Sequence, residues 1–225
     1  METLFQHFPN QPASVSCQKA YVILCNTHDT ATSFLDIFGT IRRNRAARGA
    51  PTDEEQDLLR AMLLFAGAGL DSLAKQLISD ALPSILENDE AAGRMFKSYV
   101  ERKLRRGEDT NYAVLADVIG DHQPRKRLVE LYLRDLTASS LQSTEEMLRA
   151  AAAFDIPSVE ITADPRSLTE VFRVRNQIVH EMDVDFAVPN RNRTPRAKQV
   201  MVDHTNAVFG AAAAFLASVD RRSPA

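Results

Sequence analysis

The residue types best suited to chemistry gather in one stretch, Phe172-Arg-Val-Arg-Asn-Gln-Ile-Val-His-Glu-Met-Asp183. Arg175 contributes a permanent cation with a forked set of donors. Asn176 contributes an amide, and His180 a side chain that titrates near neutrality. At about 100° per residue, Asn176 and His180, four apart, share one helix face, whereas Arg175 and His180 lie on adjoining faces. A cation, an amide and a proton-transfer group within about one and a half turns suit the handling of a phosphate. The bland alternative is that Arg175 and His180 are solvated positions at a helix end, where cations are favourable in any case.

These residues must be held by an amphipathic helix. Asp164-Pro165 is a helix entry, with Pro at the first position and Asp164 or Ser167 as cap, and Leu168, Val171, Phe172 and Ile178 face a core. In that setting Arg175-Asn-Gln-Ile-Val-His180 resembles the R-x4-6-H signature of HEPN domains, all-helical proteins many of which are metal-independent ribonucleases in bacterial toxin–antitoxin and antiviral systems. The match uses the short spacing, with a polar residue directly after the arginine. The resemblance implies catalytic roles for Arg175, Asn176 and His180, and a symmetric homodimer in which two motif helices face each other across the axis. It also implies RNA as substrate, no cofactor or metal, and an antitoxin or regulatory protein as a further partner. In such proteins an acidic residue on an earlier apolar helix supports the motif arginine, which makes Asp71 the expected hydrogen-bonding partner of Arg175.

The other elements read as helices in turn. Gln18 to Arg48 carries an apolar stripe including Tyr21, Leu24, Phe34 and Phe38. His28 beside it reads as a packed histidine. Thr52-Asp-Glu-Glu55 is a capping box that opens a long, nearly all-apolar helix to about Leu82. Within it Ala66-Gly-Ala-Gly69 suggests close approach of a neighbour. Pro83 breaks the pattern. Helices are then expected over Glu90–Leu104, Asn111–Ile119, Arg125–Thr137 and from about Ser143 to Phe154, with His122 in an exposed turn. The motif helix follows, then a loop through Asp183, then a last helix entered at Thr194-Pro195. The expected fold is therefore all-α, an up-and-down bundle with extra helices inserted between the core hairpin and the motif helix. The expected domain covers 17–220, with flexible arms at 1–16 and 221–225.

Composition bounds the function. With 225 residues, 44% hydrophobic and 25% charged, the chain is a globular domain with ample core. A net charge of −3 gives no global attraction for nucleic acid. Arginines outnumber lysines and cluster, and Arg173, Arg191, Arg193 and Arg196 around the motif are candidate RNA contacts. Cys17 and Cys25 have neither CxxC nor metal-ligand spacing, so a reducing cytoplasm is the expected compartment. No stretch reads as a membrane span or an export signal. A second function stays open, a catalytically silent helical module that binds nucleic acid or a partner protein. The absence of Trp and scarcity of Tyr, which limit base stacking, favour it.

Overall fold

The computed structural model describes residues 4–5, 8–45, 49–105, 112–189 and 192–224, apart from the side chains of 105 and 112–115. Among these residues every regular element is helical, and the only β pairing is an isolated bridge between Val184 and Arg193. After a short 3-10 turn (Val15–Cys17) come α1 (Gln18–Asn44) and α2 (Asp53–Asp80). These form an antiparallel hairpin, as the pairs Arg42 with Glu55 and Lys19 with Asp80 at its two ends require. The capping box is formed: the Glu55 N–H donates to Thr52 Oγ1 at 3.4 Å, and the Thr52 N–H to Glu55 Oε2 at 2.9 Å.

Midway along the hairpin, Gly69 explains how closely α1 and α2 pack. A Cβ built there would fall 2.2 Å from Thr27 Cγ2, so only glycine fits. The all-round burial of Leu59, Met62, Leu63, Leu70, Leu73, Leu77 and Ile78 makes α2 the central helix.

The remaining core pair is α9 (Pro165–Glu181) and α10 (Lys198–Arg222), both against α2. Contacts of Lys198 with Phe38 and of Phe209 with His28 run α10 antiparallel to α1. Arg60 with Asp183 at one level and Gly67 with Arg175 at the next run α9 antiparallel to α2. The four long helices thus alternate up and down. Between α2 and α9 the chain inserts α3 (Leu82–Asn88), α4 (Glu90–Arg105), α5 (Tyr112–Gly120), α6 (Pro124–Thr137), α7 (Thr144–Ala153) and α8 (Ser158–Ile161). The expected architecture is the one found.

Several boundaries differ. The pattern does not stop at Pro83, because Pro occupies the first turn of α3, where no intrahelical N–H bond is required. The last helix begins at Lys198 and not at Thr194-Pro195, since that segment is held extended: the Thr194 N–H donates to Asp183 O at 2.7 Å and the Arg196 N–H to Gln56 Oε1.

The described residues of the stretch expected to be a flexible N-terminal arm pack on the bundle. Leu4 is fully buried, the Phe5 N–H donates to Asn206 Oδ1, and the Ala13 and Ser14 N–H groups donate to Asp220. His28 is the packed histidine expected, its Nε2 3.0 Å from Leu4 O and its ring between Phe8 and Phe209. At the other end Arg221 and Arg222, expected in a tail, belong to α10 and pair with Glu160. Their guanidinium groups and the Ser218 hydroxyl hold the Glu160 carboxyl down at about 2.

Two helices, α2 and α10, contain 18-residue windows long and apolar enough to cross a membrane, against the expectation that none would; 56% of each window is buried in the bundle. That burial is what core helices need.

Candidate functional site

The motif sits where the sequence places it, in the last two turns of α9. Asp164 starts that helix by accepting the N–H groups of Arg166 and Ser167, both at 3.1 Å. Leu168, Val171, Phe172, Val174 and Ile178 seat it on α2 and α10. Asn176 and His180 then face outward together. With Arg173, Gln177 and Glu181 they line an open groove of about 300 Å³. Arg175 is not among its walls.

Arg175 turns the other way, across Gly67 of α2. A Cβ on Gly67 would lie 3.7 Å from Arg175 Cγ and 3.9 Å from its Nε, so the absent side chain gives the arginine stem its bed. Burial presses the guanidinium pKa downward, and the Asp71 carboxylate opposes this through space. Arg175 Nε is buried with no acceptor, and Gln142 Oε1, 3.7 Å from the same point, is buried with no donor. Nη1 donates to Asn176 Oδ1 at 3.0 Å, which ties the outer end of Arg175 to the groove side of the helix.

The expected hydrogen bond between Asp71 and Arg175 is not formed. Asp71 Oδ1 accepts the Leu141 N–H at 2.6 Å, and Oδ2 accepts from Lys75 Nζ at 2.9 Å. Its carboxylate anchors the loop between α6 and α7 and acts on Arg175 only through the field.

The arginines expected to contact RNA are mostly committed inside the chain. Arg196 donates from Nε to Asp183 Oδ2 at 2.9 Å, from Nη2 to Asp183 Oδ1, and from Nη2 to Gln177 Oε1 at 3.1 Å. Arg193 pairs with Asp57 at 2.6 Å. Arg173 is exposed but forms a two-pronged pair with Glu170, both contacts at 2.7 Å. Arg191 lies outside the described residues.

Asp183, in the turn that follows α9, is the residue that organises this end of the molecule. It is fully buried, and Arg60, only 2% exposed, donates to it at 2.7 Å. Arg60 also donates from Nη2 to Thr194 O at 3.0 Å and from Nη1 to Asp57 Oδ1 at 3.0 Å. One carboxylate between two guanidinium groups fastens α2, the end of α9 and the segment leading into α10. The buried carboxylate is paired and hydrogen-bonded on both oxygens, as burial demands. Met182 and Asp183 both adopt left-handed backbone, φ 52° and 60°. A sequence signal did exist: α9 has no glycine to end it, and Asp is one of the few side chains that tolerates this conformation.

The groove's electrostatics follow. Its cation, Arg173, is neutralised by Glu170, while Glu181 adds a carboxylate beside His180. In one chain Asn176 and His180 are presented together, and the guanidinium of Arg175 stands behind them. Comparisons with protein-family models, with curated proteins and with solved structures give no match, so the HEPN resemblance stands on these residues and their setting alone.

Proposed function

We propose that the chain is a metal-independent endoribonuclease of HEPN type, of the kind found in bacterial toxin–antitoxin or phage-defence systems, acting through Arg175 and His180 in a site composed by two copies. The observation that carries this reading is the pairing, at the end of one helix, of an accessible Asn176–His180 face with an arginine whose Nε is buried and unsatisfied. Cleavage of RNA through its 2′-hydroxyl needs a base for that hydroxyl, a cation at the phosphoryl oxygens and an acid for the leaving 5′-oxygen. His180 serves proton transfer, Arg175 the developing charge, and Asn176, already bonded to Arg175, orients it.

One chain offers one exposed His180 and turns its Arg175 away from that groove, so the reading takes the arginine from a second copy. Exposed Val179, Met182 and Phe186 flank His180 in sequence and supply apolar surface for that contact. The test is RNA cleavage by the purified protein in EDTA. The wild type is expected to cut, with His180→Ala and Arg175→Ala each slower by at least about a hundredfold. A wild type inert in EDTA towards structured and single-stranded RNA, or a His180→Ala chain as active as its parent, rejects the reading.

The second reading is a silent helical module that binds nucleic acid or a partner protein, and the commitment of Arg193 and Arg196 to Asp57 and Asp183 favours its partner-protein form. It predicts binding without cleavage.

A further inference from the structure

A second cleft lies far from the motif in sequence, among the inserted helices. It measures about 580 Å³, within the range of small-ligand sites, and is walled by α4, α6 and α7. Met95, Leu136, Ala152 and Ala153 give it apolar surface. Tyr99 and Tyr132 pack against each other with ring centroids 4.5 Å apart, and the Tyr132 side of this pair opens into the cleft.

The polar groups are unevenly matched. Arg102, Lys103 and Arg149 line the cleft against a single carboxylate, Asp135. Asp135 is already engaged, by the Tyr99 hydroxyl at 2.8 Å and by Lys103 Nζ at 2.7 Å. Arg149 pairs with Glu146 outside the lining. Arg102 donates only its Nε, to Ser98 O at 3.4 Å, leaving its terminal nitrogens without an acceptor among the described residues.

Tyr132 is the second, independent sign of a ligand. The residue is 5% exposed, it lines the cleft, and its hydroxyl bonds to no acceptor among the described residues. The hydroxyl is not one of the unpaired atoms sealed in the core, so it keeps access to the cleft and can donate to a ligand there. Burial raises its pKa to about 12, so the hydroxyl keeps its proton, and Arg102 and Arg149 act on it through space in the other direction. A donor O–H and two guanidinium groups on the walls of one cleft suit an anion and leave a cation unsatisfied.

We propose that this cleft binds a small phosphorylated ligand carrying a flat ring, of the nucleoside mono- or diphosphate class. The phosphate receives the terminal nitrogens of Arg102, the Arg149 guanidinium and the Tyr132 O–H. The ring lies on the apolar wall of Met95, Leu136, Ala152 and Ala153. This site is separate from the Arg175–His180 groove and does not depend on the ribonuclease reading.

Titration calorimetry of the full chain at low ionic strength tests it, with ADP, adenosine and inorganic pyrophosphate as probes. ADP is expected to bind one to one, at least about tenfold more tightly than either adenosine or pyrophosphate, because both halves of the cleft are used. Arg102→Gln and Tyr132→Phe should each weaken ADP about tenfold and leave the thermal melt intact, since the first gives up only a long, exposed bond to Ser98 O and the second keeps the ring. Arg175→Ala and His180→Ala should bind ADP as the parent does. No heat with millimolar ADP overturns the proposal. So does pyrophosphate binding as tightly as ADP, or loss of ADP binding in the motif variants with none in the cleft variants. Because the motif variants are carried in parallel, a chain that cuts no RNA yet binds ADP in the cleft rejects the first reading and keeps this one.

Discussion

Arg175 and His204 show how much of this site is decided by where single polar atoms end up. Arg175 Nε and Gln142 Oε1 are both buried and both unpaired, and such orphans cost about 1–3 kcal/mol each. A residue kept in that state is poised for an incoming acceptor, which is why Arg175 matters more to the proposed chemistry than the better-exposed Arg173. His204 on α10 carries a similar strain, with its Nδ1 buried and unpartnered. Desolvation lowers its pKa below the usual 6.5, Glu170 opposes this, and Arg196 and Arg173 add to it against Asp203. The unfolded chain therefore takes up this proton more readily than the folded one. Stability from this group is complete above about pH 6.5 and falls as the pH drops towards the lowered folded value. His204→Leu removes both the orphan nitrogen and the titration. Melts at pH 7.5 and pH 5.5 should show the variant gaining on its parent as the pH falls, by roughly 2 °C, a small shift because the ring is only partly buried. A variant-minus-parent difference in Tm that stays constant or falls at pH 5.5 would contradict this.

Helices were legible where periodicity and caps agree, and illegible where tertiary contacts set the ends. Thr52, Ser143 and Asp164 were readable as caps because each satisfies N–H groups two or three residues on, a purely local event. Asp71 was readable as a partly buried carboxylate but not for its partners, since the Leu141 N–H reaches it from seventy residues away. The start of α10 failed for the same reason, with Thr194-Pro195 diverted by Asp183 and Gln56. Asn176 and His180 share a face as their spacing requires, but Arg175, expected on an adjoining face and in the same groove, turns to the bed left by Gly67, a contact across helices that spacing does not encode. The glycine pair in α2 separates two cases that sequence alone treats alike. Gly69→Ala forces a Cβ into Thr27 and should cost about 1–3 kcal/mol. Gly67→Ala meets Arg175 only at ordinary contact distance and should gain up to about 1 kcal/mol from helix propensity. Urea unfolding of both variants decides it, and equal effects would mean the α1–α2 crossing is looser than described.

At the scale of the molecule, one buried carboxylate fastens the motif end of the bundle and one exposed face leaves it open to a second copy. Asp183→Ala leaves the Nε of Arg60, a side chain 2% exposed, without its acceptor while Asp57 and Thr194 O keep the other nitrogens, and should cost about 3 kcal/mol in urea unfolding. A loss below about 1 kcal/mol would show that Arg60 and Arg196 find other acceptors. The open face decides function. In the proposed two-fold assembly each patch meets its own copy, so one Arg175 and one His180 become two of each. Two guanidinium groups brought together repel unless Glu181, or the phosphate of a substrate, lies between them. The assembly should therefore tighten when RNA is bound. The separation of Arg175 from the His180 groove within a single chain sharpens the test, because an arginine supplied across the axis is the one able to serve a given histidine. Chains carrying Arg175→Ala and chains carrying His180→Ala should each be inactive alone. Unfolded together and refolded as a mixture, they should recover a fraction of wild-type cleavage, at most about a quarter, since random pairing makes at most about half of the dimers mixed and each mixed dimer keeps one of the two Arg–His pairs. Recovery should vanish on dilution below the dimer dissociation constant. If the mixture stays inactive while light scattering shows mixed dimers, arginine and histidine act within one chain. If the chain is a monomer at micromolar concentration, the composite site is excluded and the binding module becomes the better account.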